Sequence, residues 1–153
     1  METRQATEKD VPEILRMARV MHSKSNYRDL PFDDKVTTET VRQLVRSRSG
    51  VVWLAESKEH TMGMIAGQVM RAFFSQEVVA SDKVLFVYPQ YRGVKFHVAD
   101  QLLRDFCMWA AELGARRITL SNSAGAPDEL FVKKLAQYGF KKAGSVMFME
   151  VGC

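Results

Sequence analysis

The spacing of apolar residues in the first third of the chain is that of a strand followed by two helices. A short β-like run at 2–6 precedes the segment 11–21, where apolar residues recur every three or four positions. Thr7 is a suitable N-cap for this helix. The polar, turn-rich loop 24–35 comes next, and the stripe in 41–45 predicts a second helix. We expect the loop between the two helices to cover a site.

The central third of the chain has the pattern of consecutive strands. Two β-rich runs, 51–57 and 62–70, are joined by a short polar turn and predict an antiparallel hairpin. The run 77–89 predicts a longer strand. This strand must stop at Pro89, because proline cannot donate a hydrogen bond to the sheet.

The last third alternates between helices and strands. Apolar residues at helical spacing predict a helix over 98–113, and Gly114 lies where its C-cap belongs. The following runs predict a strand at 115–121, a helix at 127–138 and a closing strand at 146–151. The complete order predicts a mixed, mostly antiparallel α/β sheet with helices on both faces.

Length and composition are those of a globular domain. The 153 residues are 46% apolar and 26% charged, so we expect one domain spanning 1–153. The longest apolar runs are far shorter than the ~20 residues that cross a bilayer, which argues against a membrane partner. Because the first ten residues are too charged for a secretory signal, we expect a cytoplasmic protein.

Charge and cysteine content narrow the function further. The net charge is +4, and the basic residues are scattered along the chain. This distribution favours a small anionic ligand over nucleic acid, which requires a clustered basic face. Neither Cys107 nor Cys153 is placed for a disulfide framework or a metal quartet, so we expect reduced thiols and no metal.

The stretch 87–103, VYPQYRGVKFHVADQLL, combines a strand end, a short basic turn with one glycine, and a helix start. These are the parts of a phosphate cradle, because the free N–H groups and the dipole of a helix N-terminus favour an anion.

Four pieces of the sequence match one known family in order and spacing. They are RQATEKD at 4–10, VYPQYRG at 87–93, LGARRITL at 113–120 and YGF at 138–140. With these pieces the chain resembles the GNAT superfamily of acyl-CoA dependent N-acetyltransferases. The resemblance implies a single-domain GNAT-like fold and transfer of an acetyl group from acetyl-CoA directly to an amine, in a small molecule or a protein.

The resemblance also implies where the coenzyme lies. In the family, the fourth strand diverges from the fifth, and the pantetheine arm of acetyl-CoA hydrogen-bonds the exposed backbone, here that of Leu85, Phe86 and Val87. The pyrophosphate lies on the next loop and the helix start. The corresponding residues here are Arg92, Gly93, Val94, Lys95, Phe96, His97, Val98 and Ala99.

Two departures from the family pattern bear on this site. Counted without a gap, the two glycine positions of the family loop fall on Lys95 and His97. A loop two residues longer places them on His97 and Ala99, and we prefer this alignment because the helix period fixes the later leucines.

Leu135 stands where the family has a tyrosine that protonates the departing thiolate. Either Tyr138, Tyr91, Ser121 or water replaces it, or the protonation step is uncatalysed.

The implied reaction requires a base and an acceptor site. An amine with a pKa near ~10.4 must lose a proton before it attacks the thioester. Asp82 and Glu77 are the acids on the fourth strand, and strand alternation predicts that Asp82 shares a face with Val84 and Phe86. The candidate substrate-binding residues are His22, Tyr27 and Phe32.

A second interpretation remains open from the sequence. Because of the altered loop and the missing tyrosine, the chain would also suit a catalytically degenerate module of this fold that binds proteins, for example an accessory protein of a virus or mobile element. Dimers are common in the family, so a homodimer is a further expectation. The sequence does not identify the amine.

Overall fold

The computed structural model describes residues 1–93, 95, 97–123 and 125–152. In this part of the chain the strands are β1 (Glu2–Gln5), β2 (Gly50–Glu56), β3 (Thr61–Arg71), β4 (Val78–Val87) and β5 (Ala115–Thr119). The α-helices are α1 (Val11–His22), α2 (Asp34–Arg46), α3 (Val98–Glu112) and α4 (Asp128–Ala136). Short 3-10 turns at Glu8–Asp10 and Pro89–Tyr91 precede α1 and follow β4.

The five strands form one open sheet in the order β1-β2-β3-β4-β5. The first four strands pair antiparallel, and β5 pairs parallel with β4. β5 pairs with the first part of β4, Val78 to Ser81. From Asp82 onward, β4 has no strand partner on the β5 side among the described residues. The two strands therefore form a fork that opens at Asp82.

Each face of the sheet has its own core. Helix α3 covers one face with fully buried residues such as Leu102 and Phe106. Helices α1 and α2 cover the other face, with Ile14, Met17 and Leu44 in the core. The predicted fold class, a mixed and mostly antiparallel sheet with helices on both faces, is confirmed.

Local signals in the sequence account for several element boundaries. Pro12 lies in the first turn of α1, where its missing N–H costs no helical hydrogen bond. Asp33 is the N-cap of α2, and its carboxylate accepts a hydrogen bond from the backbone N–H of Val36 at 2.9 Å. Strand β4 ends at Val87, two residues before Pro89. None of the described helices is long and apolar enough to cross a membrane.

The closing strand predicted at 146–151 is wrong for this structure. Residues 140–152 have neither helix nor strand. The apolar side chains of 146–151 are between 76% and 95% exposed. The pattern predicted a strand because its residues are strong strand formers, but a strand forms only where the segment pairs with a sheet edge and packs against neighbours.

Candidate functional site

Asp82 lies at the point where β4 and β5 diverge, and it is buried. The backbone N–H of Ser121, two residues beyond β5, donates a hydrogen bond to Asp82 Oδ1 at 3.0 Å. The hydroxyl of Ser121 donates to the same oxygen at 3.4 Å. The Asp82 carboxylate therefore links β4 to the chain after β5 at the start of the fork.

The environment of Asp82 changes its acidity. Burial raises the pKa of the Asp82 carboxyl to about 6, because desolvation disfavours the charged form, and the hydrogen bonds from Ser121 offset part of this effect. A carboxyl group with a pKa near neutrality can both accept and release a proton at physiological pH, which is what a general base requires. Asp82 therefore has both a position at the start of the fork and the acidity that a general base requires.

A β-bulge in β4 determines which way Asp82 faces. Ala66 of β3 opposes Val84 and Gly67 opposes Asp82, so Lys83 is the extra residue. A Cβ on Gly67 would lie 2.5 Å from the ring of Phe106, so Gly67 and its partner Asp82 face α3. The prediction that Asp82 shares a face with Val84 and Phe86 is wrong, because the bulge shifts the alternation by one residue.

The structure does not bring the second candidate acid, Glu77, to the fork. Glu77 precedes β4 at the hairpin end, and its Oε1 lies 3.9 Å from Nη1 of Arg116 in an exposed ion pair. Five positions separate it from Asp82. In an extended strand this spacing corresponds to roughly 17 Å. Of the two acids, the geometry favours Asp82.

The open edge of β4 presents backbone groups to the fork. The N–H of Tyr88 donates to the carbonyl oxygen of Met62 in β3 at 3.0 Å. The backbone N–H and C=O groups of successive residues in a strand point alternately to its two sides. The backbone groups of Phe86 therefore also point to β3, and those of Leu85 and Val87 point into the fork. The Val87 carbonyl accepts a hydrogen bond from Arg92 Nε at 2.7 Å. Arg92, a predicted cofactor residue, thus reaches back to the edge of β4.

The loop between β4 and α3 has the backbone of a glycine-containing turn. Gly93 has φ +109°, and His97, the N-cap of α3, has φ +51°. Both alignments of the family motif place His97 at a glycine position, and its left-handed backbone is the conformation that glycine favours. Lys95 is exposed. The predicted cofactor residues Val94 and Phe96 lie outside the described residues, whereas Val98 and Ala99 begin helix α3.

A charged cluster ties α4 to the first turn of α3. The carboxylate of Asp100 accepts hydrogen bonds from the Tyr138 hydroxyl and from Lys134 Nζ, the latter at 3.0 Å, and lies 3.4 Å from Nδ1 of His97. The hydrogen bond from Tyr138 is the main reason why the pKa of Asp100 lies below its ordinary value. Burial and the Asp100 charge raise the pKa of Tyr138 to about 12, so this phenol keeps its proton. Leu135 is buried in the α3-side core.

The predicted substrate residues lie in and beside the loop 23–33. His22 Nε2 is 2.7 Å from the Leu30 carbonyl oxygen, and its ring packs edge-on against Phe32 at 5.4 Å. Tyr27 is 59% exposed. The N–H of Asn26 donates to the Ser123 carbonyl at 3.3 Å. The loop therefore contacts the same post-β5 segment that carries Ser121.

Sequence reasoning missed two features of this site. The backbone hydrogen bond from Ser121 to Asp82 joins residues 39 positions apart, and Ser121 entered the sequence analysis only as a substitute proton donor. The bulge at Lys83 carries no local signal such as a glycine. Both features depend on how strands pair, which the sequence alone does not display.

Comparisons with known proteins give structural matches, whereas no family model and no curated protein matches the sequence. The aminoglycoside N-acetyltransferase AAC(6')-Iy, solved with a CoA bisubstrate analogue, has a TM-score of 0.75 and 17% identity, with 99% of this chain and 98% of that chain covered. An aminoglycoside acetyltransferase from an uncultured soil metagenomic sample, in complex with sisomicin, has a TM-score of 0.74 and 12% identity, with 99% and 96% covered.

A third match is an acetyltransferase of Trypanosoma brucei, with a TM-score of 0.72 and 18% identity over 98% of this chain and 99% of that chain. All three alignments extend over nearly the full length of both chains. This chain therefore has the fold of the GNAT acetyltransferases.

Proposed function

We propose that this protein is an N-acetyltransferase that transfers an acetyl group from acetyl-CoA directly to an amine. The observation that carries the proposal is the fork between β4 and β5, with the buried acid Asp82 at its base and the polar backbone groups of Leu85 and Val87 along its edge. The CoA analogue bound to the structurally similar AAC(6')-Iy supports the choice of cosubstrate.

The pantetheine arm of acetyl-CoA would extend along the open edge of β4, where its amides pair with the outward backbone groups of Leu85 and Val87 as a further strand does. At Val87 the arm would replace the hydrogen bond that Arg92 donates to the carbonyl. The pyrophosphate would lie at the start of α3, whose first N–H groups have no helical partner. Arg92 and Lys95 supply positive charge there, and the proposed contact region runs from Gly93 to Ala99 with Val94 and Phe96 included.

Asp82 would act as the general base. Its carboxylate takes a proton from the ammonium form of the acceptor, and the neutral amine attacks the thioester carbonyl carbon. The C–N bond forms, the C–S bond breaks, the acylated nitrogen gives up its second proton, and the CoA thiolate takes up a proton, so the products are the amide, free CoA and protonated Asp82. Leu135 cannot supply this proton, and the Tyr138 hydroxyl is hydrogen-bonded to Asp100. Of the remaining donors, Tyr91, Ser121 and water, this proposal assigns the role to water.

The acceptor would bind between the fork and the loop 23–33. This loop contacts the segment after β5, and it carries Tyr27 in an exposed position and Phe32 against His22. Aromatic side chains in a loop that contacts the segment after β5 suit an amine with an apolar or ring-containing body. The proposal covers amines as a class and assigns no particular acceptor.

Calorimetry with acetyl-CoA tests the cosubstrate. We expect saturable binding that weakens about tenfold in Arg92→Ala, because one charge-assisted hydrogen bond is lost. The exposed Arg48 supplies the matched control Arg48→Ala, which should bind like the wild type. Absence of heat at high micromolar acetyl-CoA would overturn the proposal.

A CoA-release assay with a panel of amines tests the chemistry. Asp82→Asn should reduce kcat by about 10²–10⁴-fold without changing the affinity for acetyl-CoA, because it removes the base and leaves the backbone of β4 intact. Equal rates in the wild type and in Asp82→Asn would exclude Asp82 as the base.

A protein-binding module without catalysis is the second candidate. It is favoured by Leu135, which is buried where the family has its acid, and by the Val87 carbonyl, which Arg92 already engages. Native mass spectrometry of the purified protein separates the two candidates. Co-purified CoA or acetyl-CoA supports the enzyme, and a bare chain that binds no added acetyl-CoA supports the module.

A further inference from the structure

The segment after β5 lies between the buried acid and the loop 23–33. On one side, the N–H and the hydroxyl of Ser121 donate to Asp82 Oδ1 at 3.0 Å and 3.4 Å. On the other side, the carbonyl oxygen of Ser123 accepts a hydrogen bond from the N–H of Asn26 in the loop at 3.3 Å. Ser121 and Ser123 are only two positions apart in the chain. A movement of this segment therefore changes both contacts.

Gly125 brings the backbone of the same segment against the backbone of the loop. Its φ is +81°, a conformation that disfavours side chains, and a Cβ there would lie 2.6 Å from the carbonyl oxygen of Lys24. Only glycine therefore lets the two backbones approach this closely. The side-chain amide of Asn122 donates to the carbonyl oxygen of Ala126 at 2.8 Å, which closes the segment into a turn between Ser121 and this contact.

The loop side of the contact is anchored to helix α1. The N–H of Lys24 donates to the carbonyl oxygen of Met21 at 3.0 Å, and the N–H of Ser25 donates to that of His22 at 3.2 Å. Met21 and Ser25 are both buried. A side chain at position 125 would therefore displace the segment after β5 more readily than it would displace the loop.

Among the described residues, no charged group controls the acidity of Asp82 in place of Ser121. The β3 partner Gly67 and the ring of Phe106 beside it are uncharged. The adjacent Lys83 lines a groove with residues of α2, on the opposite face of the sheet. Burial raises the pKa of Asp82, and hydrogen bonds, mainly those from Ser121, lower it again. Loss of the Ser121 donors would leave the cost of desolvation largely unopposed.

We propose that Ser121 is a positioning residue that holds the Asp82 carboxylate in place and in its charged form, and that the loop 23–33 keeps Ser121 there through Asn26 and Gly125. The base and the acceptor loop are then parts of one hydrogen-bonded unit. The loop that would contact the amine thus also sets how readily Asp82 takes its proton. The catalytic consequence rests on the proposed function, whereas the effect on Asp82 itself does not.

A carboxyl ¹³C NMR titration of Asp82 tests the link without any substrate, with Asp82→Asn identifying the signal. Gly125→Ala should raise the midpoint of this titration by about one pH unit, a roughly tenfold change in the protonation equilibrium, because a charge-assisted hydrogen bond is lost. Gly114→Ala is the matched control. Its φ is also +81°, but a Cβ there would meet open space, so its midpoint should equal that of the wild type. An unchanged midpoint in Gly125→Ala, or an equal rise in both variants, would overturn the proposal.

Substitutions of Ser121 test the same link from the other end. Ser121→Ala retains the N–H donor and loses the hydroxyl, so it should change the protonation equilibrium in the same direction by about two- to threefold. Ser121→Thr restores a hydroxyl and should return the midpoint to the wild-type value. These variants decide the matter if far-UV circular dichroism shows that Gly125→Ala does not fold. No rise in Ser121→Ala would overturn the role of Ser121 in either case.

The pH dependence of kcat/KM in the CoA-release assay connects the link to catalysis. The acidic limb reports the base of the free enzyme, so it should move to higher pH in Gly125→Ala and stay in place in Gly114→Ala. A merely structural role for Gly125 would lower the rate at every pH and leave the limb where it is. A raised NMR midpoint in a protein that acetylates no amine would overturn the proposed function and support this inference. An active Gly125→Ala enzyme whose limb and midpoint do not move would do the reverse.

Discussion

The raised pKa of Asp82 predicts that Asp82→Asn is more stable than the wild type at neutral pH. The asparagine side chain has nearly the same shape, and its carbonyl oxygen can still accept the Ser121 N–H that reaches Asp82 Oδ1 at 3.0 Å. The substitution therefore removes a buried negative charge and retains its main hydrogen bond. The expected gain comes from removing the cost of that charge.

The magnitude follows from the two pKa values of the carboxyl group. In the unfolded chain the pKa is the ordinary 3.8, and in the folded protein it is about 6. The folded state thus binds the proton more tightly, so Asp82 reduces stability progressively as the pH rises from about 4 to about 6. At about 1.4 kcal/mol per pKa unit, the full reduction above pH 6 is about 3 kcal/mol.

Urea unfolding from pH 4 to pH 7.5 measures this effect as the difference in free energy of unfolding between Asp82→Asn and the wild type. The difference should grow with pH in favour of the variant and level off above pH 6, because other titrating groups contribute equally to both proteins. Asp29→Asn changes an exposed carboxylate and should give a flat difference. A flat or falling difference for Asp82→Asn would refute the desolvation argument.

Three further substitutions test the packing, the loop and the α3–α4 link. Gly67→Ala should lower the free energy of unfolding measured in urea by about 1–3 kcal/mol. Its Cβ would lie 2.5 Å from an aromatic carbon of α3 and 2.6 Å from a β4 carbonyl oxygen. The control Gly144→Ala lies in open space and should leave the stability unchanged. His97→Gly should be about 1 kcal/mol more stable than His97→Ala in thermal unfolding, since both lose the side chain and only glycine relaxes at φ +51°; equal stabilities would contradict the backbone argument. Tyr138→Phe should lower the free energy of unfolding by about 1 kcal/mol at pH 7 after solvent screening. Because the pKa of Asp100 is lowered in the folded protein, this loss of stability should shrink as the pH falls below about 4. A loss that is independent of pH would assign it to packing instead.

Local patterns explain most of the elements that the sequence predicted. Helix α3 was predicted over 98–113 and spans Val98–Glu112, because its apolar stripe has the helical period and Gly114 follows it. The hairpin of β2 and β3 follows from two strand-like runs and a short turn, and the stop after β4 follows from Pro89. Each of these signals acts within a few residues of the structure it determines.

The candidate site was only partly predictable. Asp82 could be named as an acid on the right strand, but its face depended on the bulge at Lys83, which exists only as a mismatch between β3 and β4. Its acidity depends on burial and on Ser121, which β5 brings from 39 positions away. Glu77 had the same residue chemistry, and only the strand path separates it from the fork.

The sequence by itself determined the helix periods, the strand-forming runs, the basic loop before α3 and the residues able to do acid–base chemistry. These properties depend on side-chain type and short spacing, which are local. The tertiary structure decided where β4 and β5 part, which face Asp82 takes, what Arg92 contacts and whether 146–151 pairs with a strand. Those outcomes depend on register and on pairing between distant segments, and the free energy of such pairing comes from burial and hydrogen bonds that form only once the sheet is assembled.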